Sequence, residues 1–315
     1  MRLIALNVEG LAGAPEWSME LESAQALPPA PLGMAVADAI ALFAAALDSG
    51  RCERILGRMG LVRGEQEFLT DAHGFIEEVS GMDAFEVESL LDPEGGRRVT
   101  VTARIALDPP LFGTLREESM RDPRMLAALG EDPTLTLKVG WLFTTDRTAA
   151  SVGVLDARVA DTAFATGRSE RPAWMNILLR AVGARVGGVG ADTGSTEMGA
   201  TLLAAALSAD PQTRARYQRL ASALAAPPFA LGTLELVQRG ERVQLAFGEH
   251  LVRARQLGPG ALRAVRVAHA ALVAAPDVLV VEEPSAVEWS GWLTDLTQGQ
   301  GATLEQVLWL PRGSQ

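Results

Sequence analysis

The sequence predicts a mixed α/β fold, a sheet with helices packed on it. Three observations predict it. The chain opens with short meandering strands at residues 3–9 and 18–22. Period-2 alternation, which turns one face of a strand inward, recurs at 97–107, 134–143 and 150–160. The end of the chain reads helix, strand, helix, strand, the order of a sheet covered by helices.

Taken in order, the first two strands are separated by the turn-forming stretch GLAGAPE, and LPPAP at 27–31 is a hard break. Residues 33–50 are Ala-rich, apolar on most faces and closed by Gly50, which predicts a buried helix. After the three alternating strands, 173–186 predicts a helix. VGGVGADTG at 186–194 reads as a flexible link, so a single domain over 1–315 divides near 186–196 into lobes 1–186 and 197–315. Helices are expected at 198–208 and 212–225, and a hairpin at 232–248 around Arg239-Gly240-Glu241. An Ala/Val-rich helix at 260–275 leads into the strand DVLVV, followed by a helix near Trp292 and a strand at 306–310.

Of the 315 residues, 48% are apolar, enough for a substantial core. The net charge of −11 argues against a dedicated nucleic-acid binder, which needs clustered cations. Cys52 is the single cysteine, so neither a disulfide framework nor a Cys-based metal site fits within one chain. His73, His250 and His269 lack metal-ligand spacing. No run reaches the length that spans a membrane, and the first residues read as a strand, so the expected location is the cytoplasm. Lys138 is the only lysine.

Three regions together resemble the ATP-binding-cassette-type head of the SMC/RecF/RecN group of P-loop ATPases. They are the opening strand pair, the helix start DAIALF at 38–43, and RQLGPGALRAVRVAHAALVAAPDVLVVEEPSAVEW at 255–289. The resemblance implies a P-loop NTPase-like mixed sheet with an N-terminal antiparallel strand subdomain and no coiled coil. It also implies where nucleotide chemistry would lie. The phosphate loop would be LPPAPLGMA at 27–35, with the lysine position at Gly33 and the Mg²⁺-ligand hydroxyl positions at Met34 and Ala35. The signature loop would be Leu257-Gly258-Pro259-Gly260-Ala261, with Gly258 where the family has serine. Glu282 stands at the Walker B aspartate, Glu283 at the general base and Glu288 at the D-loop aspartate.

The chemistry those positions need is missing. A phosphate loop works through inward backbone N–H groups, a lysine for the terminal phosphates and a hydroxyl for Mg²⁺. Pro28, Pro29 and Pro31 have no N–H to donate. No lysine is near, and no arginine lies between Arg2 and Arg51. Two carboxylates without a phosphate clamp hold Mg²⁺ poorly. Glu282 and Glu283 therefore read as vestigial, with no cofactor and no metal expected.

The expectation is a pseudo-ATPase, a head-like binding, scaffolding or regulatory protein whose partner is another protein, such as a second ABC/SMC-type head. Two alternatives stay open. One is a divergent ATPase that binds ATP and Mg²⁺ with Glu283 as general base. The other is an unrelated α/β protein that binds a small molecule. Residues 114–125 and 168–174 read as solvated charged surfaces, and His269 as a packed histidine. Arg253, Arg255, Arg263 and Arg266, with no acid among them, form a cationic stretch that an acidic partner or a nucleic acid would fit, the latter weakly supported.

Overall fold

The structure is a computed structural model, and it describes residues 1–12, 14–29, 32–47, 68–71, 98–119, 127, 134–143, 149–160, 162–166, 173–189, 195–239, 242–248, 250–252, 259–274, 276–283, 292 and 304–311. It is a mixed α/β fold. Among the described residues, strands form three sheets.

The first sheet is antiparallel. Its strands β1 (Arg2–Leu11), β2 (Ala14–Glu20), β4 (Phe68–Asp71), β5 (Arg98–Ala106), β6 (Thr134–Phe143) and β7 (Ala149–Val159) run in the order β2-β1-β5-β6-β7-β4. Strand β8 (Thr162–Thr166) also pairs with β7. The alternation seen in the sequence places Val99, Val101, Ala103 and Ile105 of β5 inward, beside Leu135, Leu137, Val139 and Trp141 of β6.

The second sheet is parallel, ordered β3-β14-β13-β9 from Ala24–Ala26, Gln306–Pro311, Val278–Glu283 and Val186–Val189. It is buried on both faces, which is why β13 is a continuous apolar run rather than an alternating one. Val278, Val280, Leu308 and Leu310 join the core shared with the antiparallel sheet. Leu279, Val281 and Trp309 join a second core. Helix α1 (Leu32–Leu47) fills the space between the two sheets, which explains why it is apolar on most faces. Trp141 of β6 ties to it, its Nε1–H donating to the Leu42 carbonyl at 3.2 Å. Helices α2 (Pro109–Ser119) and α3 (Ala173–Ala184) complete this side.

The second core lies under α4 (Ser195–Ala206), α5 (Pro211–Ala225), α6 (Pro259–His269) and the third sheet, β10-β11-β12. That sheet is Leu234–Arg239, Arg242–Phe247 and His250–Val252. The Asp210 carboxylate caps α5 by accepting from the Gln212 and Thr213 N–H groups, and Pro211 occupies the first turn, where a missing N–H costs nothing. α6 continues into a π-helical turn, Ala270–Ala274. Trp292 is buried against Phe229, edge to face at 4.8 Å.

One expectation fails here. Residues 186–189, read as part of a flexible link, are strand β9, parallel to β13. Its two glycines hide the apolar signal. A Cβ on Gly187 would come within 2.9 Å of the Pro276 ring, so the close approach needs glycine. His250 begins β12. Strand β3 went unread because it has three residues, too few for a period.

A buried polar network joins the sheets. Gln306, at the start of β14, is 1% exposed. Its side-chain oxygen accepts from the Leu3 N–H at 2.9 Å, and its amide donates to the carbonyls of Leu3 at 2.9 Å and Glu22 at 2.7 Å. A Gln306→Leu change removes the partner of three backbone groups, two of them buried at Leu3, and each group left unsatisfied costs about 1–3 kcal/mol. The expected outcome is a loss of about 3 kcal/mol in urea unfolding.

Candidate functional site

The candidate site is the C-terminal edge of the parallel sheet, the edge at which open α/β sheets bind ligands. Three features meet there. β3 runs into the loop before α1, β13 ends at Glu282 and Glu283, and β14 ends between them at Leu310 and Pro311. Glu282 pairs in register with Leu310, and Glu283 with Pro311. β3 and β13 are separated by β14 alone, about 10 Å at the usual strand spacing. The topology therefore brings the loop at 27–35 and the acidic strand end to one edge. The side chains of Glu282 and Glu283 lie outside the described residues, as do Ala30 and Pro31.

The loop is closed on itself. The Leu27 N–H donates to the Trp309 carbonyl at 2.6 Å, and the Leu27 side chain is buried. The Gly33 N–H donates to the Pro29 carbonyl at 3.2 Å. Both amides are thus spent on protein carbonyls, and Pro28 and Pro29 have none to offer. Gly33 also has no room for a side chain. A Cβ there would collide with the Pro28 carbonyl oxygen and come within 2.7 Å of the Leu310 side chain. Met34 is 51% exposed and Ala35 is buried in the core around α1.

The only lysine is committed elsewhere. Lys138 lies in β6 of the antiparallel sheet, with Nζ 3.6 Å from Glu9 Oε1. Its neighbours Leu137 and Val139 face the α1 core, so Lys138 projects from the opposite face, away from the loop. The Thr100 hydroxyl donates to Glu9 at 2.6 Å. That bond, more than the Lys138 charge, holds the Glu9 pKa below the usual carboxylate value despite partial burial.

Of the remaining candidates, those among the described residues do not gather at this edge. Pro259 and Gly260 open α6, where a proline suits the first turn, while Leu257 and Gly258 lie outside the described residues. From Pro259, α6 and its π turn span about 24 Å of helix before the N-terminal end of β13. His269 ends α6, largely buried, its Nε2 without a hydrogen-bond partner and its pKa pushed down by burial. Cys52, His73, Glu288 and residues 168–172 lie outside the described residues. Among those described, no three His, Cys, Asp or Glu side chains form a cluster that could hold a metal ion.

Sequence reasoning missed a polar site at the opposite end of β13. There the Met1 ammonium donates to Asp277 Oδ2 at 2.8 Å and Glu305 Oε2 at 3.0 Å, and lies 3.4 Å from Asp108. Arg185 bridges Asp108 at 2.6 Å and Asp277 at 3.1 Å. These groups come from five places in the chain, and no local pattern links them.

No protein-family model and no curated protein sequence matches the chain. Among solved structures, it is similar to one described as the recombination mediator protein RecF-ATPrS in the RecFOR pathway. The TM-score is 0.45 at 8% identity, over 99% of this chain and 93% of that one. A likeness of that size establishes neither family nor function.

Closure at Gly33 is directly testable. Because the obstacle is a backbone carbonyl, even Gly33→Ala strains the turn, and Gly33→Lys does so at least as much. Overpacking of this kind costs about 1–3 kcal/mol. Both variants are expected to unfold at lower urea than the parent chain. A Gly33→Ala chain of unchanged stability contradicts the closed loop.

Proposed function

We propose that the chain is a pseudo-ATPase, a binding or scaffolding protein built like an ABC/SMC-type P-loop head that no longer uses nucleotide. The reading rests on the sequence resemblance, and one geometric observation supports it above others: the Pro28 carbonyl and the Leu310 side chain fill the place where a side chain at Gly33 would have to start. Lysine at that position is the residue that clamps terminal phosphates. The loop itself holds no arginine, and the chain's one lysine, Lys138, is paired with Glu9 in the other sheet. The protein's business is then with another protein, a second head of the same type being the partner that the resemblance implies. A cytoplasmic location belongs to the same proposal. Among the described residues no helix is long and apolar enough to cross a membrane.

A second reading has one observation in its favour. Glu282 and Glu283 end β13 at the same sheet edge as the loop, where carboxylates of a divergent ATPase would bind Mg²⁺ and activate water, with Glu283 as general base. A phosphate-release assay with Mg²⁺ or Mn²⁺ separates the two readings. The pseudo-ATPase shows no turnover above a Glu283→Gln control, whereas a divergent ATPase loses its turnover in that control.

Calorimetry tests the main reading. Titration with MgATP is expected to give no saturable heat up to millimolar nucleotide. Binding at low micromolar ATP that Glu282→Gln abolishes overturns the proposal.

A further inference from the structure

The second core holds an ionisable ring at a break in its helix. His269 is the last residue of α6, and the π turn Ala270–Ala274 starts directly after it. The ring is mostly buried, and its Nε2 is buried with no hydrogen-bond partner. On the helix face around it, Val265 and Leu272, one turn to either side, are buried, and Val273 is partly so.

The neutral ring suits this place and the charged one does not. A neutral imidazole has one N–H and can carry it on Nδ1, which leaves Nε2 a bare lone pair. Imidazolium carries an N–H on both nitrogens. The one on Nε2 would be a buried donor of a charged group with no acceptor, the costliest way to leave a hydrogen bond unmade.

Neighbouring charge adds to that cost. Arg266 lies one turn before His269 on α6, and Arg263 a further turn back. The elements that pack closest against α6 and its π turn are α4, α5 and β9. α5 brings Arg216, Arg219 and Tyr217, all half-buried, and the exposed Arg214. β9 has no ionisable residue, and in α4 the ionisable residue is Glu197, in the first turn. Glu235 of β10 is exposed, and Asp277, beyond the π turn, is bonded to Arg185.

We propose that His269 is an acid-operated release in the second core. Neutral, it lets α6 and its π turn pack on α4 and α5. Protonated, it drives the ring toward water and bends the helix at the π turn, a point where helices kink. α6 shares its core with Leu279 and Val281 of β13, so release would uncover that face of the strand. The inference uses no residue of the phosphate-loop edge and stands apart from the pseudo-ATPase reading.

Burial pulls the His269 pKa below its ordinary value of 6.5. A base whose pKa falls on folding gives its full stabilisation above 6.5 and loses it as pH drops from there through the folded value. The carboxyls of Glu9, Asp108 and Asp210 are also held low. Their contributions are lost only below the usual carboxylate range, and equally in a His269 variant.

The test is amide hydrogen exchange near pH 7.5 and pH 5.5, corrected for intrinsic rate, on the full chain and on its His269→Gln variant. In the parent, exchange across 211–225 and 259–274 is expected to be faster at the lower pH by about three- to tenfold, tenfold being the limit that one proton sets over one pH unit. β5 and β6 are expected to keep their protection, and the variant to lose the response. An equal response in both chains, or one spread evenly over β5 and β6, overturns the proposal. Should the His269→Gln chain fail to fold, the parent supplies a second measurement, the ring resonances of its three histidines followed by NMR against pH. His73→Gln and His250→Gln chains identify the other two. The His269 ring is expected to titrate below 6.5, and a midpoint at or above that value overturns the proposal.

Discussion

Everything in this fold follows from a strand that must be buried on both faces. Val278 to Val281 offer no polar residue to either side, and each such side chain gains about 1.5–3 kcal/mol on leaving water. β13 therefore needs a neighbour on each edge and a packed layer on each face. β14 and β9 supply the edges. α1, backed by the antiparallel sheet, covers one face, and the helices of the second core cover the other. Polar groups can stand only at the strand's two ends. Asp277 at one end enters the Met1 network, and Glu282 and Glu283 mark the other.

The two ends have different fates. At the N-terminal end every described charge has a partner within 3.4 Å, and those contacts reach across the chain from Met1 to Glu305. At the C-terminal end the loop has turned its hydrogen bonds inward. Leu27 bonds to Trp309, Gly33 bonds to Pro29, and Leu310 packs where Gly33 has no side chain. A loop that satisfies its own donors gains stability and gives up the anion-binding capacity that unsatisfied N–H groups confer. At this edge the two described amides of Leu27 and Gly33 are spent on protein carbonyls.

Much of this was legible in the residues. The strands of the antiparallel sheet announce themselves by alternation, since each has one buried face. β13 is announced by an apolar run ending in two glutamates. In LPPAPLGMA the three prolines have no N–H to donate, and the stretch holds neither lysine nor arginine. What could not be read is instructive. β9 has glycine at 187, where Pro276 packs closely, so a residue that lets it join the sheet also weakens its signal. β3 is too short to show a period. The Met1 network joins residues up to 304 positions apart, and sequence patterns report only local spacing. That the Pro28 carbonyl lies over Gly33 is a matter of backbone path, which composition does not encode.

The central claim is that the edge of the parallel sheet is closed to phosphate. The most direct measurement is the amide resonance of Gly33 in a glycine-labelled sample as MgATP is raised to millimolar concentration. The account predicts a fixed resonance, its N–H still bonded to Pro29. A saturable shift at Gly33 would show that the loop opens for nucleotide, and would contradict it.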